Sequence, residues 1–89
     1  MNNDVVIGCT YRHFKGFIAK VIAVATHTET SETLVIYECT GIGSSDHKDG
    51  IYARPIEMFL SEVDRMKYPE AKQKYRFELV EEGMYENDR

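Results

Sequence analysis

Apolar and polar residues alternate in short runs along most of this chain, and the runs are punctuated by glycines and polar clusters. Period-two alternation of this kind predicts β-strands. Residues 9–14 (Cys-Thr-Tyr-Arg-His-Phe) form the first, ended by a Lys15-Gly16 turn in which glycine supplies positive φ. Residues 17–26 form a longer strand. Phe17, Ala19, Val21, Ala23 and Ala25 fall on one face, and Ile18, Lys20, Ile22, Val24 and Thr26 on the other. Both faces are largely apolar, so this strand is expected to be central or strongly curved. The polar run 27–32 reads as a turn. Thr33 to Cys39 reads as a strand with Leu34 and Ile36 on one face and Val35 and Tyr37 on the other. Residues 40–50 read as a loop closing on Asp49-Gly50, and 51–54 as a short returning strand.

The period changes after Pro55. Ile56, Phe59, Leu60, Val63 and Met66 recur at helical spacing, which predicts a helix from Pro55 through Met66. Glu57 complements its dipole and Pro69 marks its stop. Residues 75–80 alternate again, with Tyr75, Phe77 and Leu79 inward and Arg76 outward. The expected fold class is mainly β: a small curled sheet or SH3-like partly open barrel of about five strands, with one helix plugging an end. An OB-like barrel is the second choice.

Composition narrows the function. A single domain is expected over residues 1–89, with an ordered body over about 5–80 and an acidic C-terminal tail over 81–89. A domain of this size buries only about 60% of its unfolded surface, so a shallow groove is easier to build than an enclosed active site. Net charge is −4, but five of the 15 acids and one of the 11 bases lie in residues 78–89. The body is therefore electrically balanced, which disfavours duplex nucleic acid as a partner. No segment approaches the roughly 20 apolar residues that span a bilayer, and Met1-Asn2-Asn3-Asp4 lacks the basic start of an export signal. A cytoplasmic location is expected, without a membrane partner, and Cys9 and Cys39 are expected to be free thiols.

Chemistry-bearing residues gather in a few places. Tyr11, Arg12, His13 and Lys15 put a phenol, an imidazole and two cations within one hairpin. Arg offers a bidentate fork for phosphate or carboxylate, and Tyr a stacking face. Strand alternation puts Tyr11 and His13 on one face and Arg12 on the other, so these residues cannot share a site unless the strand bulges. His27 and Glu29, with Glu32, could supply a general base and its partner, or simply a turn whose hydroxyls bond neighbouring amides. The turn is the favoured reading. Tyr37 and Arg54 complete the candidate ligand-binding set, and Arg54 before Pro55 could alternatively tie the helix start to the 27–32 turn. Gly41-Ile42-Gly43-Ser44-Ser45-Asp46 lacks the third glycine and the following Lys-Ser/Thr of a phosphate loop, and Lys48 breaks any calcium-loop pattern across 46–50. No motif implies a metal or a cofactor, and Cys9 and Cys39 sit in apolar contexts where thiols are inert packing.

Taken together, Tyr11-Arg12-His13-Phe14-Lys15-Gly16, His27-Thr28-Glu29-Thr30 with Glu32, Leu34-Val35-Ile36-Tyr37, Arg54-Pro55 with Met58-Phe59, and Arg76-Phe77 resemble the bacterial domain of unknown function 1653 family over roughly residues 8–77. The resemblance implies a small, mainly β domain and supplies no activity. The chain differs from the family pattern at Thr28, where Ser is usual, and in a longer loop over 40–50.

These features lead to a binding module for an anionic or aromatic, nucleotide-like ligand at a Tyr-Arg-His surface. A single-stranded nucleic acid segment or a peptide is also compatible with it. The rival is a small enzyme in which His13 or His27 is the general base and Glu29 its partner. A protein-interaction or dimerisation domain is the third reading. The first two require their side chains to converge on one concavity.

Overall fold

A computed structural model describes residues 5–39 and 48–80. The glycine-containing run 41–46 and the acidic tail 81–89 lie outside the described residues. Five antiparallel strands, β1 (Thr10–His13), β2 (Ile18–Thr26), β3 (Thr33–Cys39), β4 (Gly50–Pro55) and β5 (Phe77–Leu79), form one sheet in the order β4-β3-β2-β1-β5. A single helical turn, α1 (Ile56–Phe59), follows β4. The expected mainly β architecture is present, and β2 is the central strand. The sheet remains open, because β4 and β5 are its two edges and share no ladder.

The first reversal is closed by a bond from the His13 N–H to the Phe17 carbonyl (2.9 Å), and Gly16 takes φ 109°, a conformation that glycine adopts without strain. β2 departs from simple alternation. Val21 pairs with Tyr37 but Val24 pairs with Val35, with a bulge between Val21 and Ala23. The extra residue swaps the phase, so Val24 rather than Ala23 shares the face of Val21 in the second half of the strand.

One face carries the core. Tyr11, His13, Phe17, Ala19, Val21, Val35, Tyr37, Cys39 and Phe77 are buried on it, and Phe59 of α1 closes over them. Phe59 stacks on Phe77 at 4.1 Å with 7° between the planes, and meets Tyr11 edge-on at 5.2 Å. Four strand spacings of about 4.8 Å would hold the edge strands some 19 Å apart on a flat sheet. Yet the Arg54 guanidinium of β4 lies 5.5 Å from the ring centre of Phe77 on β5. The long side chains of Arg54 and Phe77, rather than backbone bonds, reach across the face, and the sheet stays open and uncurled instead of closing toward the expected barrel.

The long helix expected over 55–66 is not formed. After Phe59 the backbone turns to a different partner: Val63 N–H donates to Lys74 O (2.9 Å), Arg76 N–H donates to Ser61 O (2.8 Å), and Glu62 bridges to Tyr75. Ser61 Oγ also donates to the Met58 carbonyl (2.7 Å), and Asp64 Oδ1 accepts from the Met66 N–H (3.0 Å), local bonds that compete with helix continuation. Val63 is still buried, but Met66 is 93% exposed. The same rearrangement corrects the last strand. Tyr75 belongs to the bridge with Glu62 and is exposed, Leu79 lies on an edge and is exposed, and only Phe77 of the three points into the core. Arg76 is half-buried rather than outward, with its Nε on Ser61 Oγ at 3.2 Å.

Candidate functional site

The side chains of the first hairpin divide as strand alternation requires. Tyr11 and His13 are buried on the core face, and Arg12 is exposed on the opposite face beside Ile18 and Glu78. Tyr11 Oη accepts from the Val6 N–H (3.0 Å), which ties the segment before β1 to the core. The His13 ring stacks on Phe17 at 4.2 Å and on Phe14 at 4.6 Å, and meets Phe77 edge-on at 4.8 Å. Its Nδ1 accepts the Lys15 N–H (3.1 Å), so that nitrogen carries no proton in this arrangement.

Tyr37 and Arg54 come together farther across the same face. Arg54 Nε donates to Tyr37 Oη at 3.2 Å while the guanidinium covers Phe77. Arg54 thus turns inward instead of tying α1 to the 27–32 turn. Burial pushes the neighbouring Cys39 thiol up to about 11; the Arg54 charge acts in the opposite sense and Asp49 adds to the rise.

His27 and Glu29 lie at the far end of β2. His27 Nδ1 accepts the N–H groups of Glu29 (3.0 Å) and Thr30 (3.3 Å), and the His27 N–H donates to Glu32 O (2.8 Å). Ser31 takes φ 66°, a left-handed conformation uncommon outside glycine. His27 therefore builds the turn. The His13 and His27 ends of β2 are about 30 Å apart at some 3.3 Å per strand residue, so these imidazoles cannot act on one atom.

The tip of the first hairpin does form one wall of a concavity. Phe14 and Lys15 face Lys67, Tyr68, Glu70 and Ala71 across an open groove of about 410 Å³. The rings of Phe14 and Tyr68 meet edge to face at 4.9 Å, and Lys15 Nζ stands 5.0 Å from the Tyr68 ring centre. The opposite wall is held from within: Arg65 donates from both terminal nitrogens to the carbonyls of Ala71 and Gln73, and Tyr68 N–H donates to Asp64 O (2.8 Å). Two further bonds fix the walls to each other, Phe14 N–H to Arg76 O (2.9 Å) and Gln73 Nε2 to Arg12 O (3.1 Å). Lys67, Tyr68 and Glu70 were not singled out by sequence reasoning. They lie over 50 residues along the chain from Phe14, and nothing local announces that they meet it.

A second, smaller concavity of about 270 Å³ lies between Ser31, Glu32, Thr33 and the Pro55–Glu57 corner. Its charged residues are both acidic. On the sheet face away from the core, Ile22 and Ile51 are exposed. Among the described residues no helix is long and apolar enough to cross a membrane.

The fold and groove define a small open antiparallel sheet with a buried aromatic face and a cationic, ring-lined notch at one hairpin tip. The chain belongs to the family described as "Protein of unknown function (DUF1653)", whose model matches residues 9–79. No curated protein and no solved structure matches it.

Proposed function

We propose that this domain is a binding module for a small anionic ligand that carries a ring, taken in the groove between Phe14-Lys15 and Lys67–Ala71. The observation that carries this reading is Lys15 Nζ poised over Tyr68 beside Phe14, which brings a cation and two ring surfaces to one open concavity. Ligand sites commonly combine apolar walls with a few placed polar groups in a volume of about 300–1,000 Å³, and this groove falls in that range. His13 serves it from below. His13 stacks under Phe14 and accepts the Lys15 N–H, so the two residues at the groove's wall are set by the buried imidazole. Binding is preferred to acid–base catalysis because His13, His27 and Glu29 do not converge. The free thiols of Cys9 and Cys39 fit the reducing cytoplasm.

A thermal-shift and NMR screen of anionic aromatic compounds tests the proposal. Hits should raise the melting temperature of the wild-type domain. Lys15→Ala and Tyr68→Leu should abolish the shift while leaving the free domain folded. Hits that bind both variants with unchanged affinity would remove the groove from consideration.

A further inference from the structure

We infer that the anionic group of the ligand is a phosphate monoester, so that the groove takes a nucleoside monophosphate or a molecule of that shape. This inference rests on the binding-module reading above and goes further in naming the ligand class.

Among the described residues, the cations lining the groove are Lys15 and Lys67, with no arginine. The planar bidentate fork that a guanidinium offers to a carboxylate or a phosphate is missing here, and lysine binds phosphate as a compact point charge, so total charge rather than a planar fit selects the anion. Arg12 and Arg54, the arginines singled out from the sequence, are engaged elsewhere, Arg12 on the opposite face of the sheet and Arg54 on Tyr37. The backbone gives the anion little help. The N–H groups of Lys15, Lys67, Tyr68 and Ala71 are already donated to His13 Nδ1, Asp64 and Tyr68 O. Affinity must then come from the two ammonium groups and the ring surfaces, and must fall with salt.

Glu70 sets the charge limit. Two lysines and one carboxylate line the groove. The lining charge is thus about +1, and a monoester, with about −1.5 to −2 at neutral pH as on a phosphorylated side chain, is offset by the two ammonium groups when Glu70 is turned to the other end of the ligand. A triphosphate would bring its additional charge up against Glu70. The Glu70 carboxylate is better suited to accept from the hydroxyls of a sugar or the amino group of a base. The aromatic part of the ligand has Tyr68 and Phe14 to pack on, and base–aromatic stacking tolerates every base. The site should therefore distinguish the phosphate state more sharply than the base.

Isothermal titration at low salt tests this with adenosine 5′-monophosphate, adenosine, inorganic phosphate, adenosine 5′-triphosphate and benzoate. The monophosphate should bind at least about tenfold more tightly than adenosine or phosphate alone, and Lys15→Ala and Lys67→Ala should each weaken it by about tenfold or more. Glu70→Gln should narrow the gap between triphosphate and monophosphate. Benzoate binding that is lost in Lys15→Ala, with no monophosphate binding, would overturn the phosphate assignment and leave the groove as a ligand site. Absence of binding by every probe would overturn the assignment together with the reading beneath it. Monophosphate binding unchanged in both lysine variants would place the ligand elsewhere and overturn the assignment as well.

Discussion

At the scale of single residues, the side chains that look most chemical in the sequence are largely structural in the fold. His13 uses Nδ1 to fix the Lys15 amide, His27 uses Nδ1 to fix two amides of its turn, and Arg54 uses Nε to hold Tyr37. The Arg54–Tyr37 contact is the most exacting of these, because Tyr37 is 2% exposed and its hydroxyl has to be satisfied inside. Tyr37→Phe should lower stability by about 1–2 kcal/mol, since it strips the guanidinium of a buried acceptor, and Arg54→Ala by more, since it also uncovers Phe77. Urea midpoints of the two variants check this, and a change under about 0.3 kcal/mol in both would show that the contact is incidental. Cys39 gives a pH signature. Its thiol ionises near 11 in the fold against 9.0 for an unperturbed thiol. As pH rises past 9 the unfolded chain gives up this proton first, so the native state holds more protons and stability falls from there through about 11. Cys39→Ala should be less stable at neutral pH but show a shallower decline over that window than the wild type, read from urea midpoints across it. At pH 8 a thiol reagent should label half-buried Cys9 before Cys39.

At the scale of elements, the segment from Ser61 to Arg76 decides how the molecule differs from its pattern. Arg65 is the internal strut of that segment, reaching the carbonyls of Ala71 and Gln73. Arg65→Ala should speed amide exchange across 66–73 and weaken capture in the proposed groove several-fold, with little effect on global stability, because Arg65 is exposed and does not line the groove. Equal loss of protection throughout the sheet would mean that the strut supports the whole fold. Much of the architecture was legible in the sequence. β3 spans the predicted Thr33–Cys39, the other strands shift by one or two residues at their ends, and the family pattern runs through the same body. The helix was not legible, because Ile56, Phe59, Leu60, Val63 and Met66 carry a helical period that the chain uses only as far as Phe59. Beyond it, Val63 and the carbonyl of Ser61 pair with Lys74 and Arg76, a long-range choice that overrides the local period. The β2 bulge was hidden for a related reason, since Ala23 and Val24 are both apolar and either phase looks acceptable from the pattern.

At the scale of the whole molecule, an open sheet must keep its two edges from separating, and this one does so with aromatic and cationic side chains. Phe77 from β5, Phe59 from α1 and Arg54 from β4 meet over the core face. With Tyr11, His13, Tyr37 and Arg54 used in this way, the proposed recognition falls to the margins of the sheet. The hairpin tip is where Phe14 and Lys15 leave the core and the Lys67–Ala71 segment crosses to meet them. Of the groove's lining only Lys15 was singled out from the sequence, within the Tyr11–Lys15 cluster, because the 67–71 wall meets it only through tertiary structure. Amide shifts of the ¹⁵N-labelled domain titrated with adenosine 5′-monophosphate test the central claim most directly. Saturable changes are expected at Phe14, Lys15 and the 67–71 segment, and none in Lys15→Ala. Changes centred instead on the Arg54–Tyr37 pair or the His27 turn, or none at millimolar ligand, would contradict it.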